Sequence, residues 1–252
     1  MSFKTINPTR KKKITKEFFY SWEMILVYLL IAINVLLMIV VSDVYFTFGN
    51  IQTIIRGGME ISFMVLGMAF ILILGEIDVS VASIMLLSAM VMGLTYENMV
   101  GTSGEGAAAI MAVFMGVLAG GCCGLLNGVL VAYVKMPSVI TTIATSFLFR
   151  GIVHITLGGD FKSNFPKFFE PLAWDDVGGI IPVSLIVFLI FAVIFCVVLH
   201  HSKFGRQLYL VGNNKDTANY SGVRVAKTKI IAYTIMGMTA ALSAMVFVGR
   251  LG

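Results

Sequence analysis

The chain has 252 residues, 58% hydrophobic and 12% charged, with a mean hydropathy of +0.95. Soluble domains carry about 45–50% apolar and about 25% charged residues, so this composition excludes an ordinary soluble fold and points to an integral membrane protein. The formal charge of +5 comes from cations clustered in two groups beside hydrophobic segments, not along one continuous face, so it points to membrane orientation and away from nucleic acid.

At the amino terminus, Arg10, Lys11, Lys12 and Lys13 precede an apolar run too long for a signal-peptide core and without a small-residue cleavage site, which predicts a retained first span. A helix needs about 20 mostly apolar residues to cross a bilayer. On that measure the spans are 24–41, 59–74, 81–96, 107–134, 139–157, 180–199 and 230–248, giving an all-α, polytopic bundle of about seven transmembrane helices. The second and third are short. The fourth is long enough to be tilted, kinked near Gly120 and Gly121, or extended beyond the bilayer. Cys122, Cys123 and Cys196 sit inside apolar runs and read as packing residues, without disulfide or zinc spacing.

If every segment crosses once, the cations of residues 4–16 share a side with Lys135, Lys203, Arg206, Lys215, Arg224, Lys227 and Lys229. By the positive-inside rule that side is cytoplasmic, and so is the amino terminus. The opposite loops hold Glu97, Glu105, Asp160, Glu170, Asp175 and Asp176. The organisation expected is a basic cytoplasmic segment, 1–23, followed by a membrane domain, 24–252. The external loop 161–179, with Pro166 and Pro171, is either a plain connector or a surface that meets something outside the membrane.

Polar groups interrupt the apolar runs in three places. Glu76, Asp78 and Ser80 follow Gly75, at a depth where an isolated charge costs roughly 2.5–3.5 kcal/mol or more. One account is a tight turn in which Gly75 ends a helix, Asp78 or Ser80 caps the next, and water solvates Glu76. The other is a broken helix whose ends face a transport pathway. In the fifth span, Ser138, Thr141, Thr142, Thr145, Ser146, Arg150 and His154 recur at three- and four-residue steps and form one polar stripe. This stripe either borders a solute path or a neighbouring subunit, or is a structural seam. Gly120, Gly121, Gly124 and Gly128 give the fourth span a small-residue face suited to close helix packing, and Asn127 on it either bonds across to a neighbour or marks the helix end.

The third place is 204–223, a polar island between two long apolar segments. Such a segment is stranded in water, as a linker or as a docking surface for a soluble partner. Asn213 or Asn214 caps a helix over 215–221, about two turns long, and Gly222 suits a left-handed stop. No G-x-x-x-x-G-K-[ST] phosphate loop, no H-E-x-x-H, no Cys-His metal spacing and no G-x-S-x-G elbow occurs, so the sequence offers neither a nucleotide site nor an enzyme's catalytic set, and no cofactor or metal is expected.

The stretch Phe46-Thr47 with Asn50, Ile54 and Arg56, then Gly67-Met68, then Gly75-x-Ile77-Asp78-Val79-Ser80-Val81-x-Ser83, resembles the motifs of bacterial ATP-binding cassette permeases of the ribose, simple-sugar and autoinducer-2 type. Asn127-Gly128, Val131-Ala132, Pro137, Ile140, Thr142, Arg150-Gly151 and Gly158-Gly159 are similar to the family's middle. Phe204-Gly205-Arg206, Gly212-Asn213, Ala218, Ser221-Gly222, Lys229 and Ala232-Tyr233 resemble its cytoplasmic coupling loop, here 200–229, and the helix after it. The resemblance implies a type II-importer-like permease of the bacterial inner membrane. A second permease subunit, identical or different, would complete the pathway. Two cytoplasmic ATPase subunits would press on the loop through Phe204, Gly205, Arg206, Gly212, Asn213, Ala218, Ser221 and Gly222, and an extracytoplasmic binding protein would deliver a sugar-like solute. Two residues depart from the pattern: Glu76 and Ala82 stand where the family usually has glycine. Family members also continue with more helices past the stretch matching Gly249–Gly252, so a fragment or short form is expected. The residues alone leave two other classes open, an ion-coupled transporter or channel using Glu76, Asp78 and His154, and a non-transporting scaffold.

Overall fold

The computed structural model describes residues 21–158 and 167–251. The expectations for residues 4–16, Gly159, Asp160, 161–166 and Gly252 lie outside the described residues. Seven of the described helices are long and apolar enough to cross a membrane: α1 Trp22–Val40, α3 Phe48–Ile73, α4 Val81–Ser103, α5 Glu105–Ala132, α6 Ser138–Leu157, α8 Val183–His201 and α11 Val225–Leu251. Between them stand four short α-helices, α2 Ser42–Tyr45, α7 Glu170–Trp174, α9 Lys203–Asn213 and α10 Lys215–Tyr220, a 3-10 turn Lys167–Phe169, and the strands β1 Asp176–Val177 and β2 Ile181–Pro182. All seven expected spans are present. The second and third are longer than expected, because polar residues such as Gln52, Arg56, Glu97 and Asn98 continue the helices past their apolar stretches. The fourth is one unbroken helix through Gly120 and Gly121.

The chain divides into two compact units, Met1–Ile51 and Gln52–Gly252. In the first, α1 is apolar on every side and buries none of its residues. The one amide on its face, Asn34, donates to the Leu30 carbonyl at 2.7 Å and accepts from the Tyr45 hydroxyl. Thr47 then starts α3 by accepting from the Asn50 amide at 3.3 Å.

The second unit is built around α11, whose Ala232, Tyr233, Met236, Ala240, Ala241, Ala244 and Val248 are all buried. Its small residues let α5 approach at backbone distance, since a Cβ at Gly120 would overlap the Gly237 carbonyl oxygen and one at Gly124 the Tyr233 carbonyl oxygen. The expected small-residue face of the fourth span is therefore the α5–α11 seam. Phe70, Ile71, Ile84, Leu87 and Phe149 extend the core toward α3, α4 and α6. At the hairpin end of the unit, Arg56 pairs with Asp176 at 2.6 Å and lies over the Trp174 ring, while Gln52 reaches the Gly179 and Ile180 carbonyls. This ties α3 to the β1–β2 turn. Nearby, Arg250 pairs with Glu60 at 2.7 Å, joining the last turn of α11 to α3. At the opposite end α5 stops at Ala132, the chain turns at Lys135, the one residue other than glycine with positive φ among those described, at 61°, and Pro137 then opens α6.

Candidate functional site

The corner between α3 and α4 combines the turn expected from sequence with a burial that the sequence did not announce. Gly75, at φ 71°, ends α3: its amide donates to the Leu72 carbonyl and that of Glu76 to the Ile71 carbonyl, the paired bonds of a left-handed helix stop. Asp78 Oδ1 then accepts from both the amide and the hydroxyl of Ser80, at 2.8 and 2.6 Å, just before α4 begins. Ser80 stands at the start of α4 without capping it through its own side chain. Ser80 Oγ also accepts from Asn127 Nδ2 of α5 at 2.8 Å, so Asn127 bonds across to its neighbour.

The expectation that water solvates Glu76 is corrected here. Glu76 is only 8% exposed and receives two lysines, Lys229 from the first turns of α11 at 2.5 Å and Lys215 from the start of α10 at 3.0 Å. Burial raises the cost of ionising it, but hydrogen bonds from Lys229, Ser138 and Lys215 together with the Lys229 charge outweigh that cost and hold its carboxyl below the ordinary value. Asp78, two residues on, has no cation within ion-pair distance among the described residues. Burial pushes its carboxyl up against the opposing Ser80 bonds, and its Oδ2 has no hydrogen-bond partner. Glu76, Lys135, Lys215 and Lys229 border an open cavity of about 290 Å³.

The polar stripe of α6 meets this corner along half its length. Ser138 Oγ accepts from the Ile77 amide at 3.4 Å and Thr142 Oγ1 from the Val79 amide at 3.1 Å, supplying partners for backbone groups that leave regular helix. One turn further, Ser146 bonds Ser83 of α4 at 2.6 Å and Arg150 Nε donates to the same hydroxyl at 3.0 Å. Thr141 and Thr145 are buried and bond back to the carbonyls of Pro137 and Thr142 in the preceding turn. Arg150 and His154 are exposed.

The polar island folds as a helical hairpin. Ser202 caps α9 through the Gly205 amide at 3.0 Å, and Asn214 caps α10 through the amides of Asp216 and Thr217 at 2.9 and 3.0 Å. Gly222 closes it at φ 79°. The cap is thus Asn214, while Asn213 is the last residue of α9. Gly205, Leu208, Val211 and Ala218 are buried. A Cβ at Gly205 would overlap the Leu199 carbonyl oxygen of α8, and one at Gly212 the Ile73 carbonyl oxygen of α3, so α9 lies directly on the ends of two long helices. Phe204, half-buried, meets Phe70 edge to face at 5.8 Å. Arg206, Asn213, Tyr220 and Ser221 face outward, and Tyr220 is 92% exposed. The expected loop residues therefore split into an inner set that seats the hairpin and an outer set available to a partner.

Sequence reasoning did not find Lys215 and Lys229 as partners of Glu76, which they meet across 139 and 153 residues. It named Ser83 only as part of the family motif, not as the partner of Ser146 and Arg150 that the structure shows. The available signal was charge balance, since a carboxylate expected at low-dielectric depth needs a cation.

Comparison with known proteins gives a consistent assignment. The chain is 32% identical over 154 residues to the autoinducer 2 import system permease protein LsrD of Escherichia coli (strain K12), covering 59% of this chain and 46% of that one. It is 29% identical over 153 residues to the protein of the same name from Yersinia enterocolitica, covering 58% and 46%. The match thus spans about half the length of these curated relatives. No solved structure matches. With seven membrane-length helices among its described residues the chain is a multi-pass membrane protein, and because residues 50–252 match the family described as branched-chain amino acid transport system / permease component, the chain belongs to that permease family.

Proposed function

We propose that the chain is the transmembrane permease subunit of an ATP-binding cassette importer that moves a sugar or sugar-like solute into the cytoplasm, driven by ATPase subunits on separate chains. The observation that carries this reading is the α9–α10 hairpin. Its buried face is seated on the ends of α3 and α8, while its outer face presents Arg206, Asn213, Tyr220 and Ser221. A short polar helix pair fixed to long apolar helices passes a push from outside into the bundle. The LsrD relatives are named as autoinducer 2 import permeases, which supports a small, sugar-like solute. A second permease subunit and an external binding protein complete the proposed importer, and Thr141, Thr142, Thr145, Ser146, Arg150 and His154 line or flank its solute path. The loop carrying Lys203, Arg206, Lys215, Arg224, Lys227 and Lys229 lies in the cytoplasm with the amino terminus, by the positive-inside rule.

The test is uptake of radiolabelled ribose and of autoinducer 2 by proteoliposomes containing the permease with its cognate ATPase and binding protein. ATP-dependent uptake that persists when ion gradients are dissipated supports the importer. Uptake that follows an ion gradient and ignores ATP overturns it.

A further inference from the structure

We infer that Glu76 is a positioning residue that ties the α9–α10 hairpin to the α3–α4 corner, so that displacement of α10 is passed through one carboxylate to the backbone held by the α6 stripe. This deepens the proposed function, on which its role in transport rests. The geometry is that of an anchor and an arm. Lys229 is 10% exposed at its side chain and lies 2.5 Å from Glu76 Oε1, whereas Lys215 is 52% exposed and reaches the same oxygen at 3.0 Å. The inner lysine fixes the carboxylate on α11, and the outer one extends from the first residue of α10. A six-residue helix such as α10 is not stable by itself in water; its position is set by its contacts, which here are its own Ala218, buried in the core, on one side and the bond from its Lys215 to Glu76 on the other. The cavity beside the cluster leaves space for the Lys215 chain to change its path.

On the far side of Glu76 the connection is covalent. Glu76 is followed by Ile77, Asp78, Val79 and Ser80, whose bonds run to Ser138 and Thr142 of α6 and, through the Ser80 hydroxyl, to Asn127 of α5. These bonds fix a segment outside regular helix, which yields more readily than the helices flanking it. A pull on Glu76 therefore reaches the stripe through residues 77–80, while Lys229 holds the carboxylate to α11. A continuous set of contacts does not by itself establish coupling, so the test reads both ends of the connection.

The experiment is hydrogen exchange measured by mass spectrometry on the full chain in nanodiscs of phosphatidylethanolamine and phosphatidylglycerol, comparing parent, Lys215→Gln, Glu76→Gln, the double variant and Lys203→Gln. Lys215→Gln is expected to speed exchange of residues 77–80 roughly 1.5- to five-fold, the range that follows from losing a partly exposed ion pair, although Lys215 touches none of those amides. The double variant should exchange no faster than Glu76→Gln alone, because both changes cut the same connection. Lys203→Gln, which removes an exposed cation from the same hairpin, should leave residues 77–80 unchanged. Faster exchange confined to residues 215–221 in Lys215→Gln, or fully additive effects in the double variant, would overturn the inference. Lys215→Gln removes only a half-exposed side chain, so it carries the test even if Glu76→Gln fails to accumulate. The readout requires no ATPase, so failure of the importer reading and failure of this connection are distinguishable results.

Discussion

Glu76 and Asp78 are two carboxylates two residues apart with opposite electrostatic situations, and each predicts a different response. Glu76 is stabilised in its charged form by Lys229, Ser138 and Lys215. A carboxyl whose native value is depressed contributes stability above its unfolded value, about 4.3, and loses it as pH falls through the native one. The difference in thermal stability between the parent and Glu76→Gln should therefore stay constant from about pH 8 to about pH 5 and shrink on further acidification. Asp78 is buried without a cation among the described residues, and burial raises its native value, so keeping its charge costs the folded state more than the unfolded one. Asp78→Asn keeps an acceptor for Ser80 and removes the charge; its melting temperature should equal or exceed the parent's. Asp78→Ala strips the Ser80 amide and hydroxyl of their shared acceptor and should cost about 1–3 kcal/mol. The turn itself was legible, because Gly75 and the Asp-x-Ser spacing carry local rules. The lysine pairing was not, since it joins residues far apart in the chain that become neighbours only once α3, α10 and α11 meet.

At the scale of elements, the α5–α11 seam depends on carbonyl oxygens lying where a side chain would be. Gly124→Ala should destabilise the protein by about 1–3 kcal/mol through overpacking against the Tyr233 carbonyl. Gly121→Ala, whose added methyl would meet the flexible Met238 side chain at 3.3 Å and the Thr234 methyl at an ordinary 4.0 Å, should be nearly neutral. Melting curves followed by size-exclusion chromatography separate the two. The glycine spacing on the fourth span announced a close contact but not its partner, because several later segments were equally apolar. The capped helix α10 was readable from Asn214 and Gly222 for a related reason: caps are local, whereas the burial of Ala218 depends on the core it enters. The α6 stripe was readable as a periodic face, and its division into corner-bonding, back-bonding and exposed residues became visible only with α4 beside it.

For the whole molecule, hydropathy located all seven spans because a bilayer-length helix is a one-dimensional property of sequence. Their ends were misplaced by up to eleven residues at the second span, where the helix starts at Phe48 in place of Met59, because polar residues satisfied by ion pairs extend helices beyond their apolar part. The proposed orientation rests on cation placement and is directly testable. In a cysteine-free background, a membrane-impermeant maleimide should label Tyr220→Cys only from the cytoplasmic face and Val177→Cys only from outside; both positions are exposed. The reverse pattern would place the polar hairpin out of reach of any ATPase and end the importer reading.

Lys135 occupies a left-handed backbone conformation at the corner between α5 and α6, where an L side chain costs roughly 1 kcal/mol that glycine would not. Lys135→Gly should consequently melt later in neutral detergent. In bilayers rich in phosphatidylglycerol the same change removes a cation worth about 1 kcal/mol of attraction to an anionic surface, and the advantage should vanish. One side chain thereby sets torsional comfort against adhesion to the lipid charge, and which of the two prevails is decided by the bilayer's composition.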